Sequence, residues 1–326
     1  MKRPRWRLLS ALVGAVVLGV VLWRVGTGPF VTGFRELDPW TLVLGAVIGV
    51  LATVACAWRW HLVSRELDVR VDVAPAVASC YRAQFLNLTL PGGILGDVHR
   101  GVRHGLDAGD TAAGMRAVVW ERAAGQVVQA LIALVVLLVI PSPVRGSMPA
   151  VLAVLALVVA AVAVVVQLTA PSHPDSWAAR VLRVVGDDVR AVLAVRHALP
   201  GIVLASTVAL GCFLATYLLA ARAVGVTTSA VTLLPLTLLV FLAAGLPINF
   251  AGWGPREGVA AWAFGAAGIG AGLGVETAVA FAAIVLVANL PGAVVLVVDW
   301  ARRVRSQPDE PPPVEPRLAE KGRAHG

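Results

Sequence analysis

The sequence predicts an all-α polytopic membrane protein, and three observations carry the prediction. Hydrophobic residues make up 58% of the 326-residue chain and charged residues only 14%, where a soluble domain carries about 25% charged residues. The apolar residues fall in long uncharged runs, and about 20 of them suffice for a helix to cross the hydrocarbon core. The charges, net +8, collect at the ends of those runs, which points to membrane interfaces and away from nucleic acid.

Taken in order, the runs mark the spans. Leu8–Trp23 comes first, behind the basic start Lys2, Arg3, Arg5 and Arg7. It lacks a small-x-small cleavage site and reads as an uncleaved span. Trp40–Trp58, Ala123–Val144, Gly146–Ser172, Ala198–Ala221 and Thr277–Val298 complete six full spans. Trp23, Trp40, Trp58, Trp60 and Trp300 stand at run ends, where indole rings favour the interface. Trp177–Leu199 is basic and amphipathic, as a helix on the membrane surface would be. Residues 1–305 thus form the transmembrane domain, and 306–326, rich in Pro and charge, are expected to be a disordered cytoplasmic tail.

Two segments depart from this scheme. Val73–Gly96 is interrupted by Arg82 and by Asn87-Leu-Thr-Leu-Pro91-Gly92-Gly93-Ile-Leu-Gly96. Ala223–Pro255 is uncharged but too long for one span, and it holds Pro235, Pro247, Asn249, Gly252 and Gly254. Proline removes a helix donor and glycine loosens the backbone, so both segments are expected to break. Broken backbone cannot face lipid and must line a cavity or pack against protein. Each segment therefore reads as a re-entrant hairpin.

Charge then orients the chain. With a cytoplasmic N-terminus and each hairpin returning to its own side, only Arg24, Arg35, Arg145 and Arg222 face outward. Arg256 lies in the second break, and the other 22 of the 27 Lys and Arg residues face the cytoplasm. That bias places both termini in the cytoplasm. The hairpins then enter from opposite faces, as the halves of an inverted repeat do.

Acidic residues are scarce, so those near the breaks stand out. Asp97 and Arg100 follow the first break, Glu121 and Arg122 open the third span, and Arg256 and Glu257 follow the second break. Ionisable groups at membrane depth are costly and mark function; the alternative is that they only fix loop geometry. Neighbouring side chains on a helix diverge by about 100°, so Arg256 and Glu257 are each expected to meet partners elsewhere: Asp97 or Glu121 for Arg256, Arg100 for Glu257. Asn87 and Asn249 flank the two breaks and join the candidate binding set. Pro91, Gly92, Gly93, Gly96, Pro247, Gly252 and Gly254 are the structural breaks. Catalytic and metal patterns are missing: no HExxH, GxSxG or Walker sequence occurs, and Cys56, Cys80 and Cys212 read as buried hydrophobes. Gly252-Trp-Gly254 lacks the strand context of a dinucleotide loop. No enzymatic activity, cofactor or metal is expected.

The motifs NLTLPGGILGDVHR at Asn87–Arg100, Glu121-Arg122 with Gly125, and LPINFAGWGPREG at Leu246–Gly258 resemble the flippase-like transmembrane region of lysylphosphatidylglycerol synthases. The resemblance covers nearly all of the chain up to Arg305. It implies lipid translocation or lipid handling at the plasma membrane, with membrane lipids as partners. Two-part members add an aminoacyl transferase domain; the sequence ends about 25 residues past the last run, so none is expected here. The leading expectation is an anionic or zwitterionic headgroup bound between the hairpins. In it Arg100 and Arg256 contact phosphate, while Asp97, Glu121 and Glu257 orient the arginines or bind a cationic headgroup. The alternatives are a secondary transporter of a small solute and a non-catalytic partner of a separate lipid- or glycan-modifying enzyme.

Overall fold

The computed structural model describes residues 28–90, 93–140, 146, 197–245 and 254–306, and within them the regular structure is helical throughout. The helices are α1 (Gly28–Arg35), α2 (Pro39–Glu66), α3 (Val73–Thr89), α4 (Leu95–Ala108) and α5 (Thr111–Val139). After these come α6 (Ala198–Ala223), α7 (Ala230–Ala244), α8 (Pro255–Ala266), α9 (Ala271–Ala288) and α10 (Leu290–Ser306). The expected span Leu8–Trp23, and nearly all of Gly146–Ser172 and Trp177–Leu199, lie outside the described residues. So do Pro91, Gly92, Pro247, Asn249, Gly252 and, apart from Ser306, the expected tail.

Four stretches are long and apolar enough to cross a membrane: α2, α5, α6 and the combined α9–α10 from Ala271 to Arg302. The 28 residues of α2 reach about 42 Å at 1.5 Å per residue, more than a hydrocarbon core of about 30 Å. Asp38 starts this helix by accepting the Thr41 N–H at 2.7 Å and its hydroxyl at 3.0 Å, and the backbone bond, foremost, holds the Asp38 carboxyl below its usual range. Asp110 starts α5 by accepting the Ala113 N–H at 2.9 Å. Apolar side chains also face outward: Val43, Val47 and Val50 on α2 and Val127, Leu131 and Val135 on α5 are exposed, as lipid-facing helices require.

The helix pairing repeats. In the first half α3 packs on α4 and α4 on α5; in the second α7 packs on α8 and α8 on α9. The largest interface joins α2 to α6, the two helices that open the halves. Glycines permit the close crossings. A Cβ on Gly105 would lie 2.4 Å from the Thr111 Cα at the α4–α5 contact, and one on Gly274 would lie 2.3 Å from the Ala260 carbonyl oxygen at α8–α9.

Four sequence expectations change. Thr277–Val298 is not one clean helix: α9 ends at Ala288 and α10 begins at Leu290, because Pro291 has no N–H to continue the ladder. The Asn289 side chain takes up part of the slack by donating to the Val285 carbonyl at 2.8 Å. Glu121 does not open a span, since α5 already begins at Thr111. Arg59, Arg82 and Arg100, counted among the charges on the cytoplasmic side, are buried within helices at 6%, 4% and 2% exposure. Trp60 likewise is packed inside the protein, not against lipid headgroups: it is 1% exposed, while Trp40 and Trp300 are 74% and 68% exposed.

Candidate functional site

Each break is held by polar side chains that the sequence places at the helix ends. At the first, α3 ends at Thr89 and α4 begins at Leu95. Asn87 staples the gap: its Oδ1 accepts the Gly96 N–H at 2.8 Å and its Nδ2 donates to Asp97 Oδ2 at 2.9 Å. Gly93 adopts φ +63°, a left-handed conformation that glycine takes at little cost. Gly96 has no room for a side chain, because a Cβ there would lie 2.0 Å from the Ala83 carbonyl oxygen. Asp97 is thus fixed in the first turn of α4, where the helix dipole favours a carboxylate.

Around Asp97 and Glu121 stand three arginines. Arg59 donates from Nε and Nη2 to Glu121 Oε1 at 2.9 and 2.5 Å, and from Nη1 to Ser206 Oγ at 3.2 Å. Arg100 donates to Glu121 Oε2 at 2.8 Å and to Cys80 Sγ at 3.0 Å, and its Nη2 lies 3.3 Å from Asp97. Its guanidinium also lies over the Trp60 ring, 4.5 Å from the centroid. Arg122 donates to Asp97 Oδ1 at 2.9 Å with its side chain 47% exposed. Three cations against two anions leave this cluster one positive charge in excess.

The second break mirrors the first. Gly254 (φ +136°) precedes Pro255 at the start of α8, and Glu257 reaches back to accept the Gly254 N–H at 2.7 Å. Glu257 thus occupies the first-turn position that Asp97 occupies in α4. The expected remote partners are not used. Arg256 donates from Nε and Nη2 to Glu257 Oε1 at 2.8 and 2.6 Å. The 100° divergence of neighbouring side chains does not prevent this, because Glu257 folds back toward the N-terminus and the long arginine wraps around to meet it. The Arg256 guanidinium lies 5.6 Å from the Phe281 ring centroid, and Phe281 packs with Tyr217 and Phe241.

Both breaks open onto one cavity of about 290 Å³. Asn87, Leu88 and Gly93 come to it from the first, and Ala243, Ala244, Pro255 and Arg256 from the second. Arg59 and Arg122 also line it, as do Gln84, Gln126, Gln129, Ser206 and Asn289. Of the residues expected at the site, Asn87 and Arg256 therefore face the cavity. Asp97, Arg100, Glu121 and Glu257 stand behind its wall as ion-pair partners, and Asn249 is outside the described residues. Arg100 is not placed to touch a ligand there; Arg122 and Arg59 are. The sequence did carry a signal for the missed residues: Arg122, Gln126 and Gln129 recur at i, i+4 and i+7 on one face of an otherwise apolar helix. Arg59 and Asn289 carried none of this kind.

The chain matches the family model described as the lysylphosphatidylglycerol synthase TM region over residues 7–292. The chain belongs to this family. No curated protein and no solved structure matches it. The lysylphosphatidylglycerol synthase TM region is thus represented here by a multi-pass helical membrane protein with a lipid-related role, and the matched stretch contains both breaks, the arginine cluster and every described residue of the cavity wall.

Proposed function

We propose that the protein binds the phosphate-bearing headgroup of a membrane lipid between its two broken hairpins. It then carries that headgroup across the bilayer while the acyl chains stay in the hydrocarbon, with no covalent step. The observation that carries this reading is the cavity itself, where Arg59, Arg122 and Arg256 meet at the junction of both breaks. Guanidinium matches phosphate oxygens in geometry and charge, and the arginine cluster holds a positive charge in excess. Broken helices that meet at mid-membrane are the usual site architecture of transporters. The hairpin helices are also short. The longest, α3, has 17 residues and reaches about 26 Å, short of a core of about 30 Å. These lengths support the reading of both segments as re-entrant hairpins, and the charge bias supports their entry from opposite faces.

Two measurements test this reading. A reporter fused after Arg305 is expected to report the cytoplasm and one at Gly146 the outside, in the plasma membrane; an external C-terminus would overturn the inverted arrangement. Liposomes containing the purified protein are expected to move tail-labelled anionic phospholipid between leaflets faster than empty liposomes. Uptake of a soluble anion without lipid movement would instead make the protein a solute transporter. Lipid binding with no movement would make it a partner of a separate lipid-modifying enzyme.

A further inference from the structure

Tyr217 on α6 is 1% exposed, and its hydroxyl has no hydrogen-bond partner. Buried polar atoms are ordinarily paired, and an open hydroxyl costs free energy that a phenylalanine would avoid. The Tyr217 ring packs on Phe241 and Phe281, with centroids 5.6 and 5.5 Å away, and the Arg256 guanidinium lies over the same Phe281 ring. Ala260 and Phe264 of α8 belong to the same buried cluster as Tyr217. Glu257, Ala260 and Phe264 fall at i, i+3 and i+7, on one face of that helix. Glu257 therefore stands on the face of α8 that meets Tyr217, and the hydroxyl is within electrostatic reach of both Glu257 and Arg256.

Glu257 is 0% exposed. Its Oε2 accepts the Gly254 N–H, while Oε1 takes both of its bonds from Arg256. The acids of the first break are held differently. Asp97 faces Arg100 and Arg122, and Glu121 faces Arg59 and Arg100, so one arginine can turn to a ligand and leave its carboxylate paired. Among the described residues the ion pair of Glu257 is with Arg256 alone. When the Nε and Nη2 groups of Arg256 turn away, Oε1 is left bare at a position closed to bulk water, and losing one partner of a buried ion pair is strongly unfavourable. An uncommitted phenol on the same face removes that difficulty, because its O–H can donate to a carboxylate.

We propose that Tyr217 is a positioning residue that takes over Glu257 Oε1 when the Arg256 guanidinium turns to the phosphate. The Tyr217 O–H and the Arg256 N–H groups exchange places on one oxygen, and no proton changes owner. The first turn of α8 keeps its bond to Glu257 Oε2 throughout. The inference rests on the reading of Arg256 as a phosphate ligand, but the claim of the hydroxyl on Glu257 can be tested without any ligand.

The test is a thermal double-mutant cycle on the full-length protein in detergent, with lipid movement in liposomes as its second arm. In wild type, Tyr217→Phe removes a hydroxyl that bonds nothing, so the melting temperature is expected to hold or rise. In Arg256→Ala the carboxylate has lost its arginine and the hydroxyl already serves it. There the same substitution is expected to lower the melting temperature by about 2–4 °C or more, the size of one hydrogen bond. Arg256→Met gives the same reading if Arg256→Ala does not fold. With Arg256 intact, Tyr217→Phe is expected to slow the movement of tail-labelled anionic phospholipid about tenfold. A melting temperature lowered equally in both backgrounds makes Tyr217 a packing residue and overturns the inference, as does no effect in either. A change of sign between backgrounds with an unaltered rate of movement overturns the exchange as a step of transport. A change of sign in protein that moves no lipid at all supports the exchange and removes the translocation reading instead.

Discussion

Replacing Glu121 with alanine is expected to cost the protein about 3–5 kcal/mol, the usual penalty for removing one partner of a buried ion pair. Glu121 is 1% exposed on α5 and joins Arg59 of α2 to Arg100 of α4. The two arginines are 6% and 2% exposed, so Arg100 cannot turn to water when the carboxylate is gone, and Arg59 keeps only its edge on the cavity. Arg59 also ties α6 into the group through Ser206, and the loss is therefore expected to loosen four helices together. Glu121→Gln keeps the shape and one acceptor but drops the charge, and should fall between alanine and wild type. Thermal unfolding in detergent reads the effect. A Glu121→Ala protein that melts with wild type would show that Arg59 and Arg100 find other partners, and the cluster would lose its structural role.

That cluster also shows what could be read from the sequence. The breaks could be, because proline and glycine interrupt helices through local covalent constraints: Asn87-to-Asp97 and Gly254-to-Glu257 do stand at the starts of α4 and α8. The long apolar helices could be as well, because hydrophobic run length is a one-dimensional property. The ion pairs could not. Arg59 stands next to Trp58 near a run end and reads as a loop charge, and only the distant Glu121 turns it inward. Arg100 follows the break as expected, yet it is spent on Glu121, Cys80 and the Trp60 ring and does not reach the cavity. Arg256 and Glu257 fail in the opposite direction, since a partner sought on another segment was the next residue. The amides of Gln84, Gln126 and Gln129 carry no charge and little hydropathy signal, and the helical spacing of Gln126 and Gln129 with Arg122 is the one trace of their shared face.

Arg256→Ala is expected to reduce lipid movement at least tenfold, about 1.4 kcal/mol or more of lost interaction, in protein that still inserts and folds. The guanidinium lies on the cavity wall at the second break, with 11% of the side chain exposed, and no other described lining residue from α7 or α8 is charged. Its loss leaves Glu257 fully buried and still accepting the Gly254 N–H, so α8 keeps its cap, but the unpaired carboxylate is expected to lower the melting temperature. Glu257→Ala removes both that cap, worth about 0.5–2 kcal/mol, and the anchor of Arg256, so stability and transport should fall together. Arg256→Lys keeps the charge but not the paired N–H bonds from Nε and Nη2 to Glu257 Oε1. It should recover part of the rate if charge alone serves the phosphate, and little of it if the fixed guanidinium geometry matters. Lipid movement is measured in liposomes well below each variant's melting temperature, so that unfolding cannot imitate loss of function. A wild-type rate from Arg256→Ala would remove this residue from the site and leave the second break a purely structural feature.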